Sequence, residues 1–368
     1  MKSSFTKEHT LITKGVLVIM LLAHHVFFAK DAAPYNIDTI INDTTLFYNI
    51  MSFFRICIAG FAFLTAYGMT QTFKASNSDN PKTYFFLTIK RLIKLESTVA
   101  IVYVLAVIYK RFVMMQSLQS LYREEGQSFG AMALHMLLDM TGLANYTQTA
   151  KINITWWYLS YAILLIVAMP FIYMAYKKFR YLLIPAGCLL PYAVLNSGDS
   201  FALLLPVVIL GTAFSYENLF EKLKCHNKKQ AVVGIILCSV IVYVAYLCHI
   251  TANAIFSYTL AAVIPYIAFA YISKIAGVRS CLKYLGKHAT NIFLIHTFIY
   301  YYYYRDFIYS FHSALYILPV LVVISLLVSI VIELIKRITG YNWLSKKILQ
   351  YVDSMEKTGS SFFEQSAL

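Results

Sequence analysis

Ten stretches of this chain approach or reach the roughly 20 apolar residues that a membrane-crossing helix requires. They run near 11–28, 50–71, 90–109, 155–176, 181–196, 201–216, 231–250, 254–273, 288–304 and 314–336. Hydrophobic residues make up 60% of the 368 positions and charged ones only 13%. Soluble domains sit near 45–50% and 25%, so the solvent this chain is built for is lipid. The expected fold is all-α: a polytopic integral membrane helical bundle of about ten spanning helices. One further apolar piece, Met132 to Leu143, contains His135 and Asp139 and is too short to cross. It is expected to be re-entrant or interfacial.

The basic residues orient the bundle. With the N-terminus inside, the segments 1–10, 72–94, 177–180, 217–230, 274–287 and 336–368 hold 23 of the 31 Lys and Arg. The outer segments hold six: Lys30, Lys110, Arg111, Arg123, Lys151 and Arg305. Cytoplasmic loops carry such an excess, so both termini are expected in the cytoplasm, and the net charge of +14 reflects topology rather than nucleic-acid binding. The longest connections, 29–49 and 110–154, face outward, where elaborated loops are a usual place for function. Residues 1–347 are expected to form one transmembrane domain and 348–368 a short cytoplasmic tail. The first apolar stretch lacks a small-residue cleavage site and is read as a span, not a removable signal. The tyrosines from Tyr300 to Tyr304 fall at an outer helix end, where aromatic rings collect at the membrane interface.

Six cysteines fall in apolar segments or inner loops, so no disulfide framework is expected. With no C-x-x-C pair and no H-E-x-x-H stretch, no metal site is expected either. The triplet Gly198-Asp199-Ser200 has the form of an esterase nucleophile block, but its length and its place in a short loop make it a turn.

Ionisable side chains inside spans cost roughly 2.5–3.5 kcal/mol each on insertion scales and so mark candidate functional positions. Lys14 and His25 are eleven residues apart, about 20° past three helical turns, which puts them on one face about 16 Å apart. A ligand with charged groups at one end and a thin arm reaching the other could touch both, as coenzyme A would. A histidine ionises near neutrality and can take a proton from an attacking hydroxyl. Taken singly, Lys14 also fits a side chain snorkelling to headgroups, and His24 and His25 fit interhelical hydrogen bonding. Lys90, Arg91 and Lys94 open the 90–109 span, Arg91 and Lys94 on a shared face, where cations can hold phosphates or simply anchor the helix. Arg55, at the start of the 50–71 span, and His296, within the 288–304 span, are candidates to line the same cavity and orient substrate or charge.

These residues resemble the membrane-bound acyltransferase 3 family. Lys14-x10-His25 is similar to the family's Arg-x10-His, with Lys for Arg. RICIAGFAFLTAYG, from Arg55 to Gly68, resembles the second-helix entry, with Thr65-Ala66 where Ser-Gly is usual. Arg91-x-x-Lys94 is similar to the third-helix R-x-x-R. Trp157-Tyr158-Leu159 resembles W-x-L, but Ala162 stands where many relatives have Glu. LPVVILGTAFSYE from Leu205 and LGKHATNIFLIH from Leu285 resemble the later helices.

The resemblance implies an O-acyltransferase, with acetyl the first choice of group, in a bacterial plasma membrane. It would move the acyl group from cytoplasmic acyl-CoA to a hydroxyl of an extracytoplasmic polysaccharide or lipid-linked glycan. His25 would be the catalytic base. Lys14, Lys90, Arg91 and Lys94 would bind coenzyme A, and Arg55, His24, Trp157 and His296 would orient substrate or charge. The expected partners are acyl-CoA, the glycan acceptor and membrane lipids, with no nucleic acid and no metal. A transporter or flippase for a glycan or lipid-linked sugar, without acyl transfer, is the alternative reading of intramembrane His and Arg.

Overall fold

The computed structural model describes residues 5–28, 32–78, 80–123, 128–193, 200–251 and 253–365. Lys30, Gly198 and Asp199 lie outside the described residues. The helices, in order, are α1 (Lys7–Val26), α2 (Thr44–Phe53), α3 (Cys57–Ala75), α4 (Pro81–Ile108) and α5 (Phe129–Met140). Then come α6 (Trp157–Phe179), α7 (Leu183–Ala193), α8 (Ser200–Tyr216), α9 (Lys228–Ile250) and α10 (Ala254–Leu260). The last are α11 (Val263–Ala270), α12 (Ala276–Lys287), α13 (Ala289–Thr297), α14 (Ala314–Ile338) and α15 (Tyr341–Gln365). Among the described residues there is no strand beyond the single bridge between Asp38 and Ser313. Lipid offers no partner to backbone N–H and C=O groups, so they are satisfied within helices.

Among the described residues, each of the ten apolar stretches is mostly helix. Seven helical stretches are long and apolar enough to cross a membrane. One of them, Ile154–Leu190, spans 37 residues and combines two stretches separated in the sequence reading. It is broken where Arg180 takes a left-handed φ of 53°, which ends α6 before α7 begins. The 201–216 stretch is the shorter apolar helix Ala202–Tyr216, and 132–143 falls on another, Phe129–Met140. The 254–273 stretch is α10 and α11, interrupted at Ala261 and Ala262. The basic segment 274–287, read as an inner connection, is mostly the helix α12.

The chain forms two compact units, one of residues 1–71 and 171–328, the other of 72–170 and 329–368. In the first, α1 is central: 61% of its apolar window is buried, against 11% for α9. Its small residues explain how. A Cβ on Gly15 would run into the carbonyl of Leu282 in α12, and one on Gly286 into the carbonyl of Leu11 in α1. The two backbones therefore touch, as small residues allow in membranes. The paired positions run in opposite senses, 11 with 286 and 15 with 282. The chain bends at His288 (φ −93°, ψ −1°), where α12 ends and α13 begins. Ile12, Ala268 of α11 and Leu282 close over the crossing as a buried cluster.

Both ends of α1 are held. At its start Phe5 stacks on Phe220, with ring centroids 4.2 Å apart, beside Tyr67 and Phe269. At its end, where helix carbonyls lack intrahelical donors, the Tyr309 hydroxyl donates to the Val26 carbonyl at 2.7 Å. Tyr309 stacks in turn on Tyr35, whose hydroxyl donates to Asp306. That bond raises the Tyr35 phenol above its ordinary range.

In the second unit α4 begins with Pro81 after the Asn80 cap and runs on into a π-helical turn at Tyr109–Val113. Asp139 of α5 is buried and accepts from the Tyr122 hydroxyl and from the Ile152 N–H. Burial pushes its carboxyl up to about 6, while those two donors hold its charged form. This bond set ties α5 to the chain just before α6. Residues 348–365 belong to α15, which already begins at Tyr341 and packs on α4. Leu344, Ile348, Tyr351 and Met355 form an exposed apolar stripe along it.

The glycine crossing yields a prediction. Gly15→Ala and Gly286→Ala should each cost about 1–3 kcal/mol by overpacking against backbone that cannot move aside. Gly277→Ala, in the same helix α12 with nothing within 4 Å of its would-be Cβ, should be neutral or slightly stabilising. Thermal unfolding of the purified protein in detergent measures all three.

Candidate active site

The first unit holds five of the expected residues. The His25 ring lies 5.0 Å from that of His24 and 5.1 Å from that of His296, between centroids. Arg55, in the single turn Phe54–Ile56 between α2 and α3, is close enough to act electrostatically on both His24 and His25. Lys14, half-buried, is on the same helix as His25, about 16 Å along its axis. Lys90, Arg91, Lys94 and Trp157 belong to the second unit.

The three histidines are not equivalent. His296 is fully buried, and its Nδ1 lies 3.0 and 2.9 Å from the carbonyl oxygens of Ile292 and Phe293. Carbonyls only accept, so Nδ1 carries the hydrogen and Nε2 keeps the lone pair in the neutral ring. His24 is buried as well, and by the same logic donates from Nδ1 to the Met51 carbonyl at 3.0 Å, tying α1 to α2. His25 is half-buried and, among the described residues, has no side-chain hydrogen bond. It is therefore the imidazole of the three whose nitrogens remain for a substrate. Among the described residues no carboxylate hydrogen-bonds it, so the arrangement is an unbonded imidazole beside a second one rather than a hydrogen-bonded triad.

Two groups that sequence reasoning missed complete the picture. Tyr300, assigned to an interfacial belt, is buried, and its ring lies 6.4 Å from His25 and 6.0 Å from His296. It sits in a π-helical segment, Phe298–Tyr303, that follows α13 directly; such segments recur at functional sites. The run divides, since Tyr304 is exposed. His249, in the last turn of α9, has Nε2 3.0 Å from the Ser52 hydroxyl and also lies within the field of Arg55. It could have been flagged by the rule that singled out the other intramembrane histidines.

In the second unit, Arg91 and Lys94 are exposed on one face of α4. Lys90 points elsewhere: its ammonium pairs with Asp353 at 2.5 Å and Glu356 at 2.7 Å, both on α15. Its charge is already matched, which sets it apart from Arg91 and Lys94 as a phosphate ligand. Glu96 pairs with none of these cations, and its Oε1 is buried without a hydrogen-bond partner. Trp157 is half-buried and meets Tyr158 edge-on, while the neighbouring Trp156 is the buried indole.

Comparison with known families decides the class of this site. A family model described as acyltransferase domain, acyltransferase 3, matches residues 12–334. The chain belongs to the acyltransferase 3 family. It is a membrane acyltransferase, and the matched region spans α1 with Lys14 and His25, α4 with Arg91 and Lys94, and α13 with His296. No curated protein and no solved structure matches the chain.

The unequal histidines separate experimentally. His25→Ala should reduce acyl transfer by roughly 10²–10⁴-fold, the usual contribution of a general base, with little change in thermal stability. His24→Ala should instead cost about 1–3 kcal/mol by leaving the Met51 carbonyl without its donor, and reduce activity less. Parallel activity and melting measurements on the two variants test this; equal activity loss in both would remove the distinction.

Proposed function

We propose that this acyltransferase moves an acyl group, acetyl in the first instance, from acyl-CoA on the cytoplasmic side to a hydroxyl of an extracytoplasmic polysaccharide or lipid-linked glycan. The observation that carries the reading is His25, the half-buried member of the three clustered imidazoles, which has no side-chain hydrogen bond among the described residues and shares a face of α1 with the cation Lys14. Coenzyme A suits that spacing, with phosphates at Lys14 and the thin pantetheine arm along α1. By their resemblance to the family's third-helix motif, Arg91 and Lys94 are candidates for phosphate binding, and Trp157 is a candidate for orienting substrate.

The chemistry needs one base. His25 takes the proton of the acceptor hydroxyl as its oxygen attacks the thioester carbonyl. The C–S bond then breaks, the ester stays on the sugar, and the coenzyme A thiolate leaves with the proton that His25 had taken. His296, with Nε2 lacking a hydrogen, and Arg55 supply the polar surroundings in which that charge moves. The site needs no metal for this step.

Two tests follow from the roles. Lys14→Ala and the double change Arg91→Ala, Lys94→Ala should raise KM for acetyl-CoA several-fold while the glycan requirement is unchanged, and Lys14→Arg should be tolerated. Unchanged coenzyme A affinity in all of them would remove the phosphate-binding role. Transfer of labelled acetyl to surface glycan, present with the gene and absent without it, separates the enzyme from a transporter.

Sidedness is tested by single cysteines in a background lacking the native ones. Lys151→Cys and Arg123→Cys should react with an impermeant thiol reagent on intact cells, and Lys228→Cys only after permeabilisation. Labelling of position 228 in sealed cells would invert the orientation and abolish transfer across the membrane.

A further inference from the structure

Arg55 is exposed at the His25 end of the first unit, and among the described residues it has no ion-pair partner. It stands three residues after Ser52, so the two share a helical face. Ser52 is bonded to His249, and the His249 ring is held against Phe53, centroids 5.8 Å apart at 67°. Arg55 thus stands in a fixed setting of hydroxyl and imidazole groups, with His24 and His25 also within its field. A guanidinium presents five donors in a planar fork suited to carboxylate and phosphate oxygens. A cation flanked by histidines, with no acid paired to it among the described residues, is a place of positive potential that an anion would relieve.

The donor does not supply that anion. On the functional reading above, on which this inference rests, the coenzyme phosphates lie at Lys14, about 16 Å along α1 from His25, and the thioester end of the molecule is uncharged. The charge that answers Arg55 must come with the other substrate. We propose that Arg55, with Ser52 and His249 beside it, binds an anionic group of the acceptor, a carboxylate or phosphate carried on the saccharide. The enzyme is then selective for acidic glycans or sugar phosphates over neutral sugars. The same contact holds the acceptor on the His25 side of the site while its hydroxyl is presented to the base.

The test is binding to the purified full chain in detergent, followed by ligand-induced thermal stabilisation, with glucose, glucuronate and glucose 1-phosphate as probes. Because no turnover is needed, the result is independent of whether acyl transfer is observed. Glucuronate, glucose 1-phosphate or both should bind at least about tenfold more tightly than glucose, as a charge-assisted contact implies. Arg55→Gln should remove that preference, Arg55→Lys should retain part of it, and acetyl-CoA affinity should be the same in all three proteins. Equal binding of glucose and both anionic sugars, or a preference that survives Arg55→Gln, overturns the proposal. A parallel loss of acetyl-CoA affinity does so too, by assigning Arg55 to the donor. If Arg55→Gln does not fold, the wild-type comparison of charged with neutral sugars decides. A last arm repeats the measurement in nanodiscs of phosphatidylcholine and of phosphatidylglycerol. If the anionic lipid abolishes sugar binding, the guanidinium is a headgroup contact and the proposal fails.

Discussion

Everything at the site depends on how closely α1 approaches α12. With no Cβ on Gly15 or Gly286, the two backbones meet carbonyl against α-carbon. In lipid this contact gains little from the hydrophobic effect, because the tails around it are as apolar as the side chains it buries. Packing and close backbone approach must supply the association. After the bend at His288 the chain continues as α13, whose His296 lies beside His25. A polar pair in the membrane is thus positioned by an apolar crossing that lies more than two helical turns away.

The asymmetry among the histidines is a consequence of that placement. Two are spent on backbone carbonyls, one holding α2 and the other satisfying its own helix. Each bond fixes a tautomer and makes the ring part of the framework. His25 escapes because its neighbours are rings and not carbonyls. On the proposed reading, the ring that reacts is the one left without a hydrogen bond, while its equally polar neighbours are committed.

Much of this was legible in the sequence, for reasons that also explain what was not. Apolar run length located the main helical stretches, seven of them long enough to span, since a chain in lipid has few other ways to satisfy its backbone. Helical periodicity put Lys14 and His25 on one helix about 16 Å apart, because the relation is local. Pairings between distant segments left no trace. Lys90 meets Asp353 and Glu356 across more than 260 positions, and nothing in the third-span motif separates it from Arg91 and Lys94. The division at Arg180 was placed by hydropathy, but its left-handed backbone was not foreseeable in a residue with a full side chain. The helical continuation of residues 348–365 was missed because its polar end hides an apolar stripe that begins before the assigned boundary.

The π-helical segment Phe298–Tyr303 has a bearing on how such a site can change. Its wider turn interrupts the regular advance of about 100° per residue, so the direction in which Tyr300 points depends on the number of residues in the segment as well as on their identity. Exchanging one tyrosine for another aromatic would leave that count intact. Removing a single residue between His296 and Tyr304 would relax the segment toward an ordinary helix and swing the following rings to new bearings. This part of the site is thus written in spacing, and its variation should be sought in insertions and deletions sooner than in substitutions.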